Sequence, residues 1–285
     1  MRKRKRSDSL LQHAKRFKNR FGKLHTNISK LEALVGMPDV KKKALGQLKY
    51  LLVNDGKTDN HFLHTCICGP PGCGKTTLAR ALFELWSSLK VFSEGARFNI
   101  VHRSDLIAPY MGQTAGRTRK ALHKHKGGCI FIDEFYTLVN GDRDSYGEEA
   151  LGELNTFMSE NPDTVVIVAG YKKEVQHVFD VQPGLKRRFA WHFDIPKYTG
   201  TQLFDIFKLQ LSEFGWDVEA RARELFNKKF SNAGGDTLNI GLKAKIQYAE
   251  RHWLRGGDKV LLYEDVKQAI DIHFCHQETI PDLYI

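Results

Sequence analysis

The sequence predicts an α/β fold: a doubly wound, five-stranded parallel sheet with helices on both faces, followed by a small all-helical domain. Three observations support this prediction. Five short apolar runs alternate with helical patterns between residues 62 and 196. A glycine-rich loop ending in Gly-Lys-Thr joins the first run to the helical pattern after it. After Pro196 only helical periodicity remains. Strands that alternate with helices are typical of parallel sheets.

The predicted strands and helices follow one another in a regular order. The strands are expected at five apolar runs: Phe62–Cys68, Phe98–His102, Cys129–Ile132, Thr164–Ala169 and Ala190–Ile195. Helical patterns lie at 28–53, with a break at Gly36-Met37-Pro38, and at 75–90, 114–126 and 146–160. Thr199 and Gln202 form a capping box, which predicts the first helix of the last domain. No stretch approaches the roughly 20 apolar residues that a membrane span requires.

We divide the chain into three parts. Residues 1–27 are a basic N-terminal tail, partly disordered and with a short amphipathic helix at 9–21; residues 28–196 are the α/β domain; residues 197–285 are the helical domain. Ten of the 44 Lys and Arg residues, and one acid, lie in residues 1–24, which leaves the remainder with +2 of the net charge of +11. Because residues 25–285 carry so little net charge, they are weak evidence for a nucleic-acid-binding domain.

The tail supports several interpretations. Its Arg-Lys-Arg-Lys-Arg run fits a nuclear localisation signal, a nucleic-acid arm at residues 2–23 or a solvated run. The amphipathic helix at 9–21 would instead dock on a partner protein or on an anionic surface. Four of the five cysteines lie in or beside apolar runs and none has zinc spacing, which is typical of free thiols in a reducing compartment. We expect an intracellular protein, cytoplasmic or nuclear.

The glycine-rich loop is a phosphate-binding motif. Gly69–Thr76 matches G-x-x-x-x-G-K-[ST] between a strand and a helix, which is the context that gives this motif its meaning. Its backbone amides can converge on phosphate, Lys75 reaches the β- and γ-phosphates, and the Thr76 hydroxyl ligates Mg²⁺. We therefore predict ATP as the ligand. The contacts are expected from Pro71, Gly72, Cys73, Gly74, Lys75, Thr76 and Thr77.

A second motif supplies the chemistry of hydrolysis. The apolar run Cys129–Ile132 ends in Asp133 and Glu134, about 55 residues after the phosphate loop. We expect Asp133 to hold Mg²⁺, mostly through water. Glu134 is the candidate base that orients and deprotonates the attacking water. Together the two motifs predict an ATPase, with Lys75 and Glu134 in catalytic roles.

Taken in order, these motifs resemble those of the AAA+ ATPases, in particular the branch of CbbX-type Rubisco activases and the sporulation protein SpoVK. The resemblance runs from Leu34 to about Leu211. Besides the two phosphate motifs it rests on four segments: Leu34–Met37, Tyr110–Ala115, Val168–Tyr171 and Pro183–Phe189. It implies a ring subunit, usually of a hexamer, with ATP bound between neighbours and the helical domain as a lid.

The resemblance also implies roles for individual residues. Val35 and Gly36 fall where the family contacts adenine. Arg188 falls at the arginine finger, which reaches the neighbouring subunit's site, and Arg187 is the adjacent alternative. Tyr110 and Met111 would line a central pore and grip a threaded polypeptide.

Two positions depart from the common family pattern. Gly170 and Tyr171 occupy the region where many members carry a polar sensor, as they do in the CbbX-like branch. The C-terminal domain, whose corresponding helix we expect to start near Asn239, offers no Arg to the γ-phosphate there. Lys243 is the candidate substitute.

Three functions follow from these observations. The leading hypothesis is an ATP-driven remodeller of a protein partner, because of the pore-loop resemblance. The alternative is a nucleic-acid motor or loader that uses the basic tail, with strongly salt-dependent binding. The third is a nucleotide-switched scaffold that hydrolyses ATP slowly, which the intact Glu134 and Arg188 argue against.

Overall fold

The computed structural model describes residues 23–57, 63–141, 144–227, 230, 233–252 and 257–278. The chain forms two compact units: one comprises residues up to Gly69 and Gly74–Ile195, and the other comprises Pro70–Cys73 and the chain from Pro196 onward. The tip of the phosphate loop thus groups with the second unit. The predicted helix at 9–21 lies outside the described residues. Among the residues described, no helix has both the length and the apolar character that a membrane span requires.

Within residues 23–57, two helices precede the sheet, α1 (Leu24–Ala33) and α2 (Pro38–Val53). The break between them falls at the predicted Gly36-Met37-Pro38 segment. Gly36 and Met37 both have positive φ angles, of 69° and 54°. Pro38 then opens α2 at a position where its missing amide hydrogen costs nothing. The first helix starts at Leu24, four residues earlier than its predicted start at residue 28.

The first unit is built on the predicted five-stranded parallel sheet, in the order β2-β3-β4-β1-β5. Its strands are β1 (Thr65–Cys68), β2 (Phe98–Val101), β3 (Cys129–Ile132), β4 (Val165–Gly170) and β5 (Trp191–Asp194). Its helices are α3 (Lys75–Ser88), α4 (Arg103–Leu106), α5 (Thr114–His123), α6 (Ser145–Glu160), α7 (Lys172–Val181) and α8 (Pro183–Lys186). Every residue of β1, β3 and β4 is buried, so both faces of the sheet centre are covered.

Several predicted boundaries differ from the structure by a few residues. The first strand begins at Thr65, because the imidazole Nδ1 of His64 already accepts the Val166 amide at 3.0 Å. The structure adds α7 and α8 within residues 172–186, for which the sequence patterns above predict no helix.

The second unit packs helices around a cluster of phenylalanines that includes Phe204, Phe207 and Phe226. Its elements are α9 (Gly200–Ser212), β6 (Asp217–Val218), a 3₁₀ helix (Ala220–Asn227), α10 (Ala233–His252), β7 (Val260–Leu261) and α11 (Tyr263–Glu278). The capping box of Thr199 and Gln202 is present at the start of α9.

This unit is helical in its main elements, as predicted, but two details differ from the expectation. It also contains a short pair of strands, since β6 and β7 pair in parallel, with Val218 opposite Leu261. Strands of two residues are too short to produce a period in the sequence. The helix expected near Asn239 begins by Ala233 instead. Gly234 and Gly235 obscure its first turn, because glycine lowers helix propensity.

Candidate functional site

Three strand ends meet at one edge of the sheet. Gly69 follows β1, Asp133 follows β3 and Tyr171 follows β4, and these strands are neighbours in the order β3-β4-β1. The carboxyl ends of parallel strands share an edge, which is the usual place for a ligand in an open α/β sheet. The Gly69 amide donates to the Gly170 carbonyl at 3.2 Å and so fixes the start of the phosphate loop.

The phosphate loop has the backbone that its glycines predict. Gly72 and Gly74 have positive φ angles, of 63° and 85°. Gly74 caps α3, so Lys75 and Thr76 lie in the first turn, where the helix carries its partial positive charge. The Lys75 ammonium donates to the Gly69 carbonyl at 3.1 Å and lies 5.1 Å from the centre of the Tyr171 ring.

The two predicted Mg²⁺ ligands are close together. The Thr76 hydroxyl donates to Asp133 Oδ2 at 3.4 Å, across a separation of 57 residues. A hydroxyl and a carboxylate are hard oxygen ligands of the kind that Mg²⁺ binds, usually with several waters retained. The donor set therefore fits this ion.

Glu134 is exposed and has a left-handed backbone, with a φ angle of 49°. Its amide donates to Asp133 Oδ1 at 3.0 Å, and its carbonyl accepts the Thr137 amide at 2.7 Å. The second contact starts a 3₁₀ turn at Phe135–Leu138. A non-glycine residue in this conformation is uncommon and is often found at functional sites.

Two tyrosines of the site are absent from the predicted site residues. Tyr136 and Tyr171 stack with their ring centres 5.3 Å apart, and the Tyr136 hydroxyl donates to Glu134 Oε1 at 3.3 Å. The sequence marks Tyr171 only as a departure at the sensor position. The strand order places Tyr171 at the site, because β4 and β1 are neighbours and the residues that follow them, Tyr171 and Gly69, lie at the same edge of the sheet.

The tip of the phosphate loop makes its contacts within the second unit. The Tyr198 hydroxyl donates to the Cys73 carbonyl at 2.7 Å, and the Gly234 amide donates to the Gly72 carbonyl at 3.0 Å. Burial raises the pKa of Tyr198, so the phenol remains a donor. A Cβ on Gly234 would lie 2.8 Å from the Gly72 carbonyl oxygen. The close approach therefore requires glycine at this position.

Lys243 lies on the same helix as Gly234. It is half-buried and follows Gly234 by nine residues, which is about 14 Å along the helix axis. Lys243 therefore lies near the middle of α10, whereas the contact with the phosphate loop is made at the first turn of this helix. Its phosphate contact stays a prediction.

The predicted arginine finger is held by its own chain. Arg188 is half-buried, and its Nε donates to Asn155 Oδ1 of α6 at 3.4 Å. Burial and the Arg188 charge lower the pKa of His64 to about 3. The alternative, Arg187, is exposed.

Five further predicted residues lie in the first unit, four in turns or loops and one in the first turn of α3. Val35 and Gly36 are half-buried in the turn between α1 and α2. Thr77 is exposed in the first turn of α3. Tyr110 and Met111 are exposed by 68% and 79%, between α4 and α5. Their contacts with adenine, phosphate or a threaded chain stay predictions.

Comparisons with known proteins agree with this geometry. Residues 65–197 match the model of the "ATPase family associated with various cellular activities (AAA)". Stage V sporulation protein K of Bacillus subtilis is 34% identical over 67% of this chain, which spans 62% of that protein, slightly under two thirds. The chromosomal CbxX protein of Cupriavidus necator is 33% identical over 88% of this chain and 80% of its own length.

Two further proteins are informative. The chloroplastic ribulose bisphosphate carboxylase/oxygenase activase of Cyanidioschyzon merolae is 32% identical, over 84% of this chain and 87% of its own length. Among solved structures, a point mutant of Thermotoga maritima RuvB superimposes with a TM-score of 0.62, and the match covers 85% of this chain and 72% of the RuvB chain. At 19% identity, the RuvB likeness concerns the fold alone.

Proposed function

This chain belongs to the AAA ATPase family, in the branch of CbbX-like and SpoVK-like proteins, and we propose that it uses ATP hydrolysis to remodel a protein partner. It is a nucleotide-binding ATPase. The observation that carries the catalytic assignment is the Thr76–Asp133 contact of 3.4 Å, because it joins the two phosphate motifs at one sheet edge.

The proposed mechanism divides the work among four side chains. Lys75 leaves the Gly69 carbonyl and binds the β- and γ-phosphates, while the first turn of α3 adds its partial positive charge. Thr76 and Asp133 would hold Mg²⁺, which neutralises charge on the phosphate oxygens when bound. Glu134 orients the attacking water and accepts its proton. Its exposed carboxylate is accessible to that water.

We further propose that the ATP site is completed by a second copy of the chain in a ring, most simply a hexamer. Arg188 would stabilise charge on the γ-phosphoryl group of the neighbouring subunit. The contact with Asn155 supports this role, because it orients a guanidinium group whose several N–H donors can serve more than one acceptor.

Remodelling of a protein is supported by the loop between α4 and α5. Tyr110 and Met111 present large apolar side chains to solvent beside Gly112, whose φ angle is 73°. An aromatic and a thioether can grip a polypeptide without reading its sequence. One relative is named as an activase of ribulose bisphosphate carboxylase/oxygenase, so that enzyme is the first substrate to test. The four buried free thiols suit a reducing compartment.

The test compares Tyr110→Ala with Phe214→Ala in the full chain. Phe214 is exposed by 65%, nearly as much as Tyr110, but lies in the second unit. Phosphate release is measured alone and with ribulose bisphosphate carboxylase/oxygenase, an unfolded polypeptide, double-stranded DNA or single-stranded RNA. We expect a protein to stimulate the wild type and Phe214→Ala but not Tyr110→Ala, with all three basal rates within about twofold of one another because neither side chain touches phosphate.

A nucleic-acid motor would give the opposite result. DNA or RNA would then stimulate a chain lacking residues 1–24, and binding would weaken by roughly 0.7 to 0.9 log units per log unit of salt for each phosphate neutralised. Such stimulation, if abolished by Tyr110→Ala, would overturn the remodelling proposal.

A further inference from the structure

We infer that Tyr136 is a positioning residue for ATP hydrolysis: its hydroxyl orients the Glu134 carboxylate, and Tyr171 holds its ring in place. This inference rests on the proposed role of Glu134 as the base. The phosphate motifs do not include either tyrosine. Both lie beside them because each follows a strand that ends at the phosphate edge of the sheet.

The hydroxyl contact is the first observation. The side chain of Glu134 is exposed at the edge of the sheet, so packing alone does not fix the orientation of its carboxylate. The Tyr136 hydroxyl donates to Glu134 Oε1 at 3.3 Å and restricts where that carboxylate can point. Burial and the negative charge of Glu134 raise the pKa of Tyr136 to about 12, so the phenol is neutral and remains a donor at neutral pH.

The Tyr136 ring is itself held from two sides. Tyr171 stacks on it, with 5.3 Å between ring centres and 23° between ring planes. Gly170 supplies the space on another side, since a Cβ there would lie 3.1 Å from Tyr136 Cδ1 and 2.6 Å from Val175 Cγ2. The glycine at 170 thus leaves room for the stacked pair of Tyr136 and Tyr171.

The Tyr171 ring also lies beside the ammonium group of Lys75. The Lys75 ammonium lies 5.1 Å from the centre of the Tyr171 ring, within the range of a cation–π interaction. A continuous chain of contacts therefore runs from Lys75 through Tyr171 and Tyr136 to Glu134. It connects the residue proposed to bind phosphate with the residue proposed to activate water.

The test removes the hydroxyl and keeps the ring. Tyr136→Phe should lower kcat about tenfold, in line with the loss of a hydrogen bond to a charged group, and leave KM and ATP affinity within about twofold. Tyr263→Phe is the matched control, because it also removes one phenol hydroxyl and keeps the ring, but lies at the start of α11 in the second unit. We expect its kcat to stay within about twofold of the wild type.

A double-mutant cycle separates positioning from a structural effect. In a Glu134→Gln background, measured by single turnover, adding Tyr136→Phe should change the residual rate by less than about twofold, because its effect passes through the carboxylate. A wild-type kcat for Tyr136→Phe would overturn the inference. An undiminished tenfold loss in the Glu134→Gln background would also overturn it, as would a loss that appears only in kcat/KM, through a higher KM.

Failure of the proposed function would look different. Glu134→Gln alone would then hydrolyse ATP at the wild-type rate, and Tyr136 would have no base to position. Thermal unfolding and ATP binding of each variant are measured in parallel, so a misfolded protein is not mistaken for a slow one. If Tyr136→Phe lowered the unfolding temperature and ATP affinity together, the residue would be structural and the inference wrong.

Discussion

The phosphate loop is held in two different ways along its length. Its base at Gly69 and its end at Thr76 are fixed by the sheet, through the Gly170 carbonyl and the Asp133 carboxylate. Its tip is held within the second unit by Tyr198 and Gly234, near the starts of two helices. Strand register sets the first group of contacts, and helix packing sets the second. Only the first group can be recognised as a sequence motif.

The first prediction, with the largest expected effect, concerns the part of the ATP site that the sheet holds in place. Lys75→Ala should abolish detectable ATP binding, because it removes the ammonium that reaches the phosphates. Glu134→Gln should bind ATP normally and lower kcat by at least about 100-fold, because the amide cannot accept the proton from water. Each variant is the control for the other, and ATP affinity and phosphate release are measured for both. Normal turnover by Glu134→Gln would refute the assignment of the base.

The second prediction extends the comparison to a neighbouring subunit. Arg188→Ala should bind ATP and hydrolyse it about 1000-fold more slowly, as expected for loss of an arginine finger. Mixing it with Lys75→Ala should restore some activity, because one chain supplies an intact pocket and the other an intact finger. Phosphate release is measured on mixtures in which labelled subunits verify mixed assemblies. Mixed assemblies without any recovery would contradict the shared site.

The third prediction concerns the buried histidine at the start of β1. Because its folded-state pKa lies near 3, His64 stays neutral at pH values where the unfolded chain, with a pKa near 6.5, takes up a proton. The free energy of unfolding should therefore fall as the pH drops below 6.5, by about 1.4 kcal/mol per pH unit from this residue. That amounts to about 2 kcal/mol at pH 5.

His64→Asn is the matched variant for this measurement, since its amide oxygen can still accept the Val166 amide but does not titrate. Denaturant unfolding of both proteins at pH 7.5 and pH 5 gives the comparison. The wild type should lose about 2 kcal/mol more than the variant between the two values. Equal losses would show that His64 becomes protonated without unfolding.

The smallest expected effect tests the tip of the loop. Gly234→Ala should lower the unfolding free energy by about 1 kcal/mol and weaken ATP binding several-fold, because its Cβ would lie 2.8 Å from the Gly72 carbonyl oxygen. Gly152→Ala is the control, a glycine inside α6 with nothing within 4 Å of its Cβ position. It should gain about 0.5 to 1 kcal/mol from helix propensity. Thermal unfolding and ATP titration measure both, and equal behaviour would remove the steric argument for Gly234.

Sequence alone predicts the parts of the site that strand register controls. Lys75, Thr76 and Asp133 are recognisable because a motif, a strand and a helix occur in a fixed order. The five strands follow from apolar runs, and the three central ones, β1, β3 and β4, are buried on both faces. These features depend on local sequence, which a single chain displays.

The rest depends on tertiary contacts. The sequence around Tyr136 does not predict that Tyr171 stacks on it. The two rings come together because the strands that precede them, β3 and β4, are neighbours in the sheet. The glycine pair at 234–235 is typical of a break before a helix, whereas Gly234 contributes to the site by lacking a side chain. Strands β6 and β7 form only because two distant dipeptides meet.

The left-handed backbone of Glu134 has a consequence for how variants of this protein should be selected. A side chain at a φ angle of 49° costs free energy that glycine would not incur, by about 1 kcal/mol. We therefore expect the inactive replacement Glu134→Gly to cost little thermal stability, because relief of the left-handed backbone offsets the larger conformational freedom that glycine loses on folding. A library screened for thermal survival alone would retain that replacement, and a screen that also demands phosphate release would discard it.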